Sequence, residues 1–159
     1  MIEKLKKLLK KAVERCYYDD KFLIEQNMER PAVARIFYYM QNLIDYDEEF
    51  SEFREYNLDV EYNKKGRGQK VTDNRENGSA PDIILHIRQE NVNLLVVEFK
   101  SHKNYKKTTD DRLKLIDFTK LGQGYEYKLG VFVKLYYKGP KLSYYEGNNN
   151  QEEQIIISN

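Results

Sequence analysis

The sequence predicts an α/β fold, a sandwich of helices around a mixed sheet, and three observations predict it. Apolar residues recur at helical spacing over residues 2–44. From Leu58 onward they recur at period two or in short continuous runs. One helical stretch, residues 109–121, interrupts the strands, giving the order α, α, β, β, β, α, β.

Each element follows from its own pattern. Leu5, Leu8, Leu9, Ala12, Val13 and Cys16 mark residues 2–17 as an amphipathic helix with a lysine-rich outer face. Such a helix could lie on a membrane or along a phosphate backbone, but packing on its own domain with the lysines in water is the favoured reading. A second helix spans residues 27–44, with Asn27 as its cap and Pro31 in the first turn, where a missing N–H leaves nothing unpaired. Val33, Ile36, Phe37, Met40 and Ile44 form its buried stripe, and Glu29, four residues before Val33, shares that face. The acidic run Asp45, Asp47, Glu48, Glu49, Glu52 and Glu55 reads as a solvated connection. Strands are expected at Leu58–Tyr62, Asp82–Ile87, Asn93–Lys100 and residues 127–137. In the third of these, Leu94 to Val97 are all apolar, which marks a central strand covered on both faces. Thr108 or Thr109 caps the intervening helix, and Asp110 and Asp111 sit in its first turn, where the helix dipole favours acids. After Gly139-Pro140, Leu142–Tyr145 and Gln154–Ser158 supply one or two appended strands. Residues 1–159 then form one domain with its core at about 27–137.

Bulk composition narrows the classes of function. The net charge is only +1, so any grip on phosphate must come from local clusters. A single cysteine, Cys16, rules out an intrachain disulfide and a multi-cysteine zinc site. With no signal-peptide core and no membrane-length apolar run, a cytoplasmic protein with no membrane partner is expected.

The chemistry gathers at one end of the strands. Period-two geometry puts Glu98 and Lys100 on one face, about 6–7 Å apart. A hairpin between their strand and the preceding one brings Asp82 level with Glu98. Charges on so apolar a strand need a reason. Two carboxylate oxygens plus waters suit Mg²⁺ or Mn²⁺. A metal-activated water could then attack a phosphodiester, with Lys100 orienting it or stabilising the transition state. Glu29 can complete the metal shell directly or through a water. Taken singly, each residue would suit a strand-end salt bridge. The four together favour a site.

Glu29, Pro81-Asp82 and then Glu98-Phe99-Lys100 after fifteen intervening residues resemble the PD-(D/E)XK nuclease superfamily over about residues 27–135. The resemblance implies a restriction-endonuclease-like αβββαβ core, here with an extra N-terminal helix and appended C-terminal strands. It implies divalent-metal hydrolysis of nucleic acid, DNA ahead of RNA, and admits a homodimer, because cutting two strands needs two sites. The alternative is a non-catalytic nucleic-acid-binding module that keeps the fold. Candidate phosphate-binding residues are Lys103, Lys106 and Lys107 after the motif, and Lys64, Lys65, Arg67 and Lys70 in the polar connection 63–80. Glu61 is a peripheral candidate ligand, whereas His86, roughly 13 Å along its strand from Asp82, reads as a packed histidine. His102 lies near enough to meet a phosphate. The tyrosines read mainly as core and sheet residues.

Overall fold

The computed structural model describes residues 1–61, 80–104, 108–122, 124–147 and 149–155, without the side chains of Asn150, Glu152 and Gln154. It is an α/β protein built on an open, mixed, six-stranded sheet.

Helix α1 (Ile2–Asp19) buries the expected stripe of Leu5, Leu8, Leu9, Ala12, Val13 and Cys16. A short helix that the sequence reading missed, α2 (Lys21–Glu25), leads into α3 (Glu29–Tyr46). Ala32, Ile36, Met40 and Ile44 of α3 are buried, and Val33 and Phe37 pack beside them. The expected cap is corrected. Met28 precedes α3 and makes no side-chain cap bond, while Asn27 adopts a left-handed φ of 60°. Asn27 Oδ1 instead accepts a hydrogen bond from the Lys103 N–H at 3.1 Å, so the entrance of α3 is tied to the chain beyond the ExK motif.

The acidic run is corrected too. Glu48–Phe53 forms a 3-10 helix, because Phe50 and Phe53 stand three residues apart and both go to zero exposure. Its acids then face α1, and the lysines of α1 are paired rather than simply solvated. Lys4 meets Glu52 at 2.7 Å, Lys11 meets Glu49 at 3.0 Å, and Lys7 also reaches Glu49.

Strands β1 (Asn57–Val60), β2 (Ile83–Ile87) and β3 (Val92–Ser101) form an antiparallel meander. Helix α4 (Thr108–Thr119) then crosses over to β4 (Leu129–Tyr136), which runs parallel to β3. β5 (Gly139–Glu146) and β6 (Asn149–Gln154) continue antiparallel. β6 thus begins ahead of the expected Gln154–Ser158, of which residues 156–158 lie outside the described residues. The ladder to β5 uses main-chain N–H and C=O groups, which any non-proline residue supplies whatever its side chain.

Side-chain alternation along β3 divides the core. Leu95, Val97 and Phe99 join the cluster under α1 and α3, whereas Val96 packs with Leu115, Phe118 and Phe132 under α4. Glu98 and Lys100 share the α4 face with Val96. Gly130 on β4 permits the close approach of α4: a Cβ there would lie 3.0 Å from Thr119 Cγ2 and 3.5 Å from Leu115 Cβ. Among the described residues, no helix is long and apolar enough to cross a membrane.

Candidate active site

The β2–β3 register pairs Ile83 with Val97, so one step further Asp82 stands opposite Glu98, as the hairpin argument requires. Asp82 lies just before β2 and fixes itself by accepting the Phe99 N–H at Oδ2, 2.6 Å away. The carbonyl of the same residue accepts the Glu61 N–H at 3.2 Å, which anchors the end of β1 at this corner. Glu29, in the first turn of α3, arrives from the other face of the sheet. Its Oε2 accepts the Ser101 N–H at 2.6 Å and the Asn104 side chain at 3.4 Å.

The sequence reading missed two members, both on α4. Lys114 Nζ donates to Glu98 Oε1 at 2.8 Å, and the pair is nearly dry, with side-chain exposures of 9% and 5%. Asp111 Oδ2 lies 2.9 Å from Lys100 Nζ, and Asp111 Oδ1 lies 3.7 Å from Lys114 Nζ. A readable signal existed. Asp111, Lys114, Leu115 and Phe118 recur at i, i+3, i+4 and i+7, the spacing of one buried face. Asp111 was read as a first-turn acid serving the helix dipole; it is buried inside the cluster instead.

Four carboxylates (Glu29, Asp82, Glu98, Asp111) thus share a corner with two ammonium groups (Lys100, Lys114). The imbalance registers in their acidities. Burial raises the Asp82 carboxyl above the usual range, with Glu29 and Asp111 adding to it and the Phe99 N–H and Lys114 opposing. Burial likewise pushes Glu98 up to about 8; Lys114 opposes, and Asp82 and Asp111 add. At Lys100 burial works against the charge, but the Asp111 carboxylate outweighs it and the ammonium is held above its ordinary value.

Does this corner fit a divalent ion? Among the described residues, no three His, Cys, Asp or Glu side chains stand ready-made as a metal cage. The donor chemistry fits nonetheless. All the anionic groups are hard oxygens, and two of them with waters suffice for Mg²⁺ or Mn²⁺. Asp82 Oδ2, Glu98 Oε1 and Glu29 Oε2 make the bonds described above, which among the described residues leaves the second oxygen of each carboxylate for a cation. A divalent ion would let the raised Asp82 and Glu98 carboxyls ionise and would neutralise the two charges by which the four carboxylates then exceed the ammonium groups.

The remaining candidates scatter. Lys103 is exposed beside Asn104. Lys64, Lys65, Arg67, Lys70, Lys106 and Lys107 lie outside the described residues. Glu61 is exposed, at a positive φ of 45°. His86 is buried as expected, its Nε2 2.9 Å from Asp59 Oδ2 on the neighbouring strand. His102 is half-buried, and its Nδ1 has no hydrogen-bond partner among the described residues. No protein-family model matches the chain, and no curated protein matches it.

Proposed function

We propose that the protein is a divalent-metal-dependent nuclease of the PD-(D/E)XK type, hydrolysing phosphodiester bonds in nucleic acid, with DNA the first substrate to test. One observation carries the reading: Asp82, Glu98, Lys100 and Glu29, separated by up to 71 positions in the chain, meet at one strand end where carboxyls outnumber ammonium groups and burial raises Asp82 and Glu98. The element order α3, β1, β2, β3, α4, β4 is the αβββαβ order that the resemblance implies. In a folded domain such a surplus costs stability, so it calls for a function.

Asp82 and Glu98 would hold the ion, Mg²⁺ or Mn²⁺, and Glu29 would reach it directly or through a water. When bound, the ion supplies a lowered pKa to a coordinated water and neutralises charge on the phosphodiester. Lys100, steadied by Asp111, donates to the attacking water or to the non-bridging phosphate oxygen on which charge builds. β3 and α4 bury the Glu98 side of the corner, which strengthens the interactions made there.

A non-catalytic clamp accounts for less. Carboxylates facing a phosphate repel it, and a clamp gains nothing from them. The test is incubation of the purified chain with supercoiled plasmid and Mg²⁺ or Mn²⁺, with and without chelator. Chelator-sensitive nicking or linearisation is expected. Binding without cleavage at any metal concentration would favour the clamp.

A further inference from the structure

The corner's own charges bear on how many ions it takes. Phosphoryl-transfer sites that use two metals place them about 3.5–4 Å apart, with a shared carboxylate between them. Here one flank of Glu98 is already occupied by a cation belonging to the chain, since Lys114 Nζ sits 2.8 Å from Oε1. This ammonium cannot drift off into water. It is 9% exposed, α4 is pressed onto β4 at Gly130, and its other neighbour, Asp111, is itself fixed on Lys100. A second divalent ion on Glu98 would have to sit against a fixed positive charge in a dry environment, where Coulomb repulsion is strong. Charge balance agrees. With every carboxyl ionised, as metal binding requires, four carboxylates less two ammonium groups leave two negative charges, the charge of one divalent ion.

We infer that the corner binds a single divalent ion and that Lys114, a positioning residue on α4, stands where a second ion would otherwise sit on Glu98. This rests on the metal-nuclease reading above and goes beyond it in assigning the ion count and the role of Lys114. Lys114 fixes Glu98 Oε1 and so turns the other carboxylate oxygen toward the ion. Asp111 joins Lys114 to Lys100, so the two ammonium groups are held as one unit.

The experiment counts ions in the absence of nucleic acid. The full chain is titrated with Mn²⁺, and free ion is read by electron paramagnetic resonance. Sites that belong to the corner are those lost in Asp82→Asn. The wild type is expected to bind one such ion. Lys114→Met, nearly the same shape without the charge, is expected to take up a second corner ion as free Mn²⁺ is raised. Lys114→Arg is expected to stay at one, a pattern that a merely structural role for Lys114 would not produce. Two corner ions in the wild type would overturn the inference and leave the metal-nuclease reading standing. A single corner ion in folded, saturated Lys114→Met would remove the stand-in role of Lys114. No corner ion in the wild type would overturn both. Because the wild-type count needs no variant of Lys114, a Lys114→Met chain that failed to fold would still leave the inference exposed to refutation.

Discussion

On the outer face of α1 and at the β2–β3 end, the same residue types are handled in opposite ways. Along α1, ammonium meets carboxylate in the open: Lys4 with Glu52 at exposures of 45% and 37%, Lys10 with Glu153 at 33% and 43%. At the strand end Glu98, Asp111 and Lys114 are buried, Asp82, Glu29 and Lys100 are half-buried, and carboxyls outnumber ammonium groups by two. Pairs in water can form or dissolve at little cost. Buried unbalanced charge is costly wherever it is not used, so the two regions should respond differently to mutation, metal and acid.

The widest separation is expected in catalysis. Asp82→Ala, Glu98→Ala and Lys100→Ala should each reduce plasmid cleavage by about 10²–10³ or more while the chain stays folded. Alanine at Lys4 or Lys10 should leave cleavage near the wild-type rate. Glu29→Ala should lose less than the three, since solvent can replace part of a water-mediated contact. Wild-type cleavage by Glu98→Ala would remove the strand end from the mechanism.

Metal binding should divide the regions next. At a free ion concentration ten times the dissociation constant, binding to the folded state alone adds about 1.4 kcal/mol. For a domain of this length that raises Tm by roughly 3–6 °C. Asp82→Asn removes one of the crowded charges, so without metal it should melt at or above the wild-type temperature. Added Mg²⁺ or Mn²⁺ should then shift the wild type and hardly move the variant. Equal shifts in both would put the ion elsewhere.

Acid should act with opposite signs in the two regions. Lys10 holds the Glu153 carboxyl below its ordinary value, so its contribution to stability is present above pH 4.5 and lost as pH falls through the lower folded value. Glu98 runs the other way. Its folded value is pushed up to about 8 from 4.5, so between those pH values the folded state keeps a proton that the unfolded chain has released. Metal-free stability therefore falls as pH rises across that window. Melting curves in chelator should show Glu98→Gln losing that decline, with Tm rising relative to wild type toward pH 8. Parallel curves would mean that Glu98 is not carrying the strain.

Much of this contrast was readable in the sequence, but unevenly. The strand-end carboxylates stood out because they interrupt an apolar run, and period-two spacing with the hairpin register fixed Asp82 against Glu98. Helices α1 and α3 and strand β3 followed from long, regular patterns. Asp111 and Lys114 were hidden because a charged residue on a helix is ordinarily solvated, and only their phase relative to Leu115 and Phe118 gives them away. Asn27 was misread because a capping side chain and one bonding a distant turn look alike in sequence. The 3-10 helix was masked by its acids, although Phe50 and Phe53 drive its burial. β6 has no apolar signature, since it is held by backbone pairing.

The smallest effect belongs to the surface. Lys4→Ala removes an ammonium that is nearly half exposed and 2.7 Å from Glu52. Holding two long side chains together costs rotamer entropy, and water screens what is gained, so the loss should be about 0–1 kcal/mol. It should shrink further in 1 M salt, where the screening length is about 3 Å. The sharper comparison is between salt responses. Denaturant melts of wild type and Lys4→Ala at low and high salt should converge. The destabilisation caused by Lys114→Met should persist, because water and counter-ions do not reach a pair that is 9% and 5% exposed. A Lys4→Ala deficit that survived high salt would mean that its methylene stem, packed along α1, does the stabilising, and the contrast between the regions would then be one of packing rather than of charge.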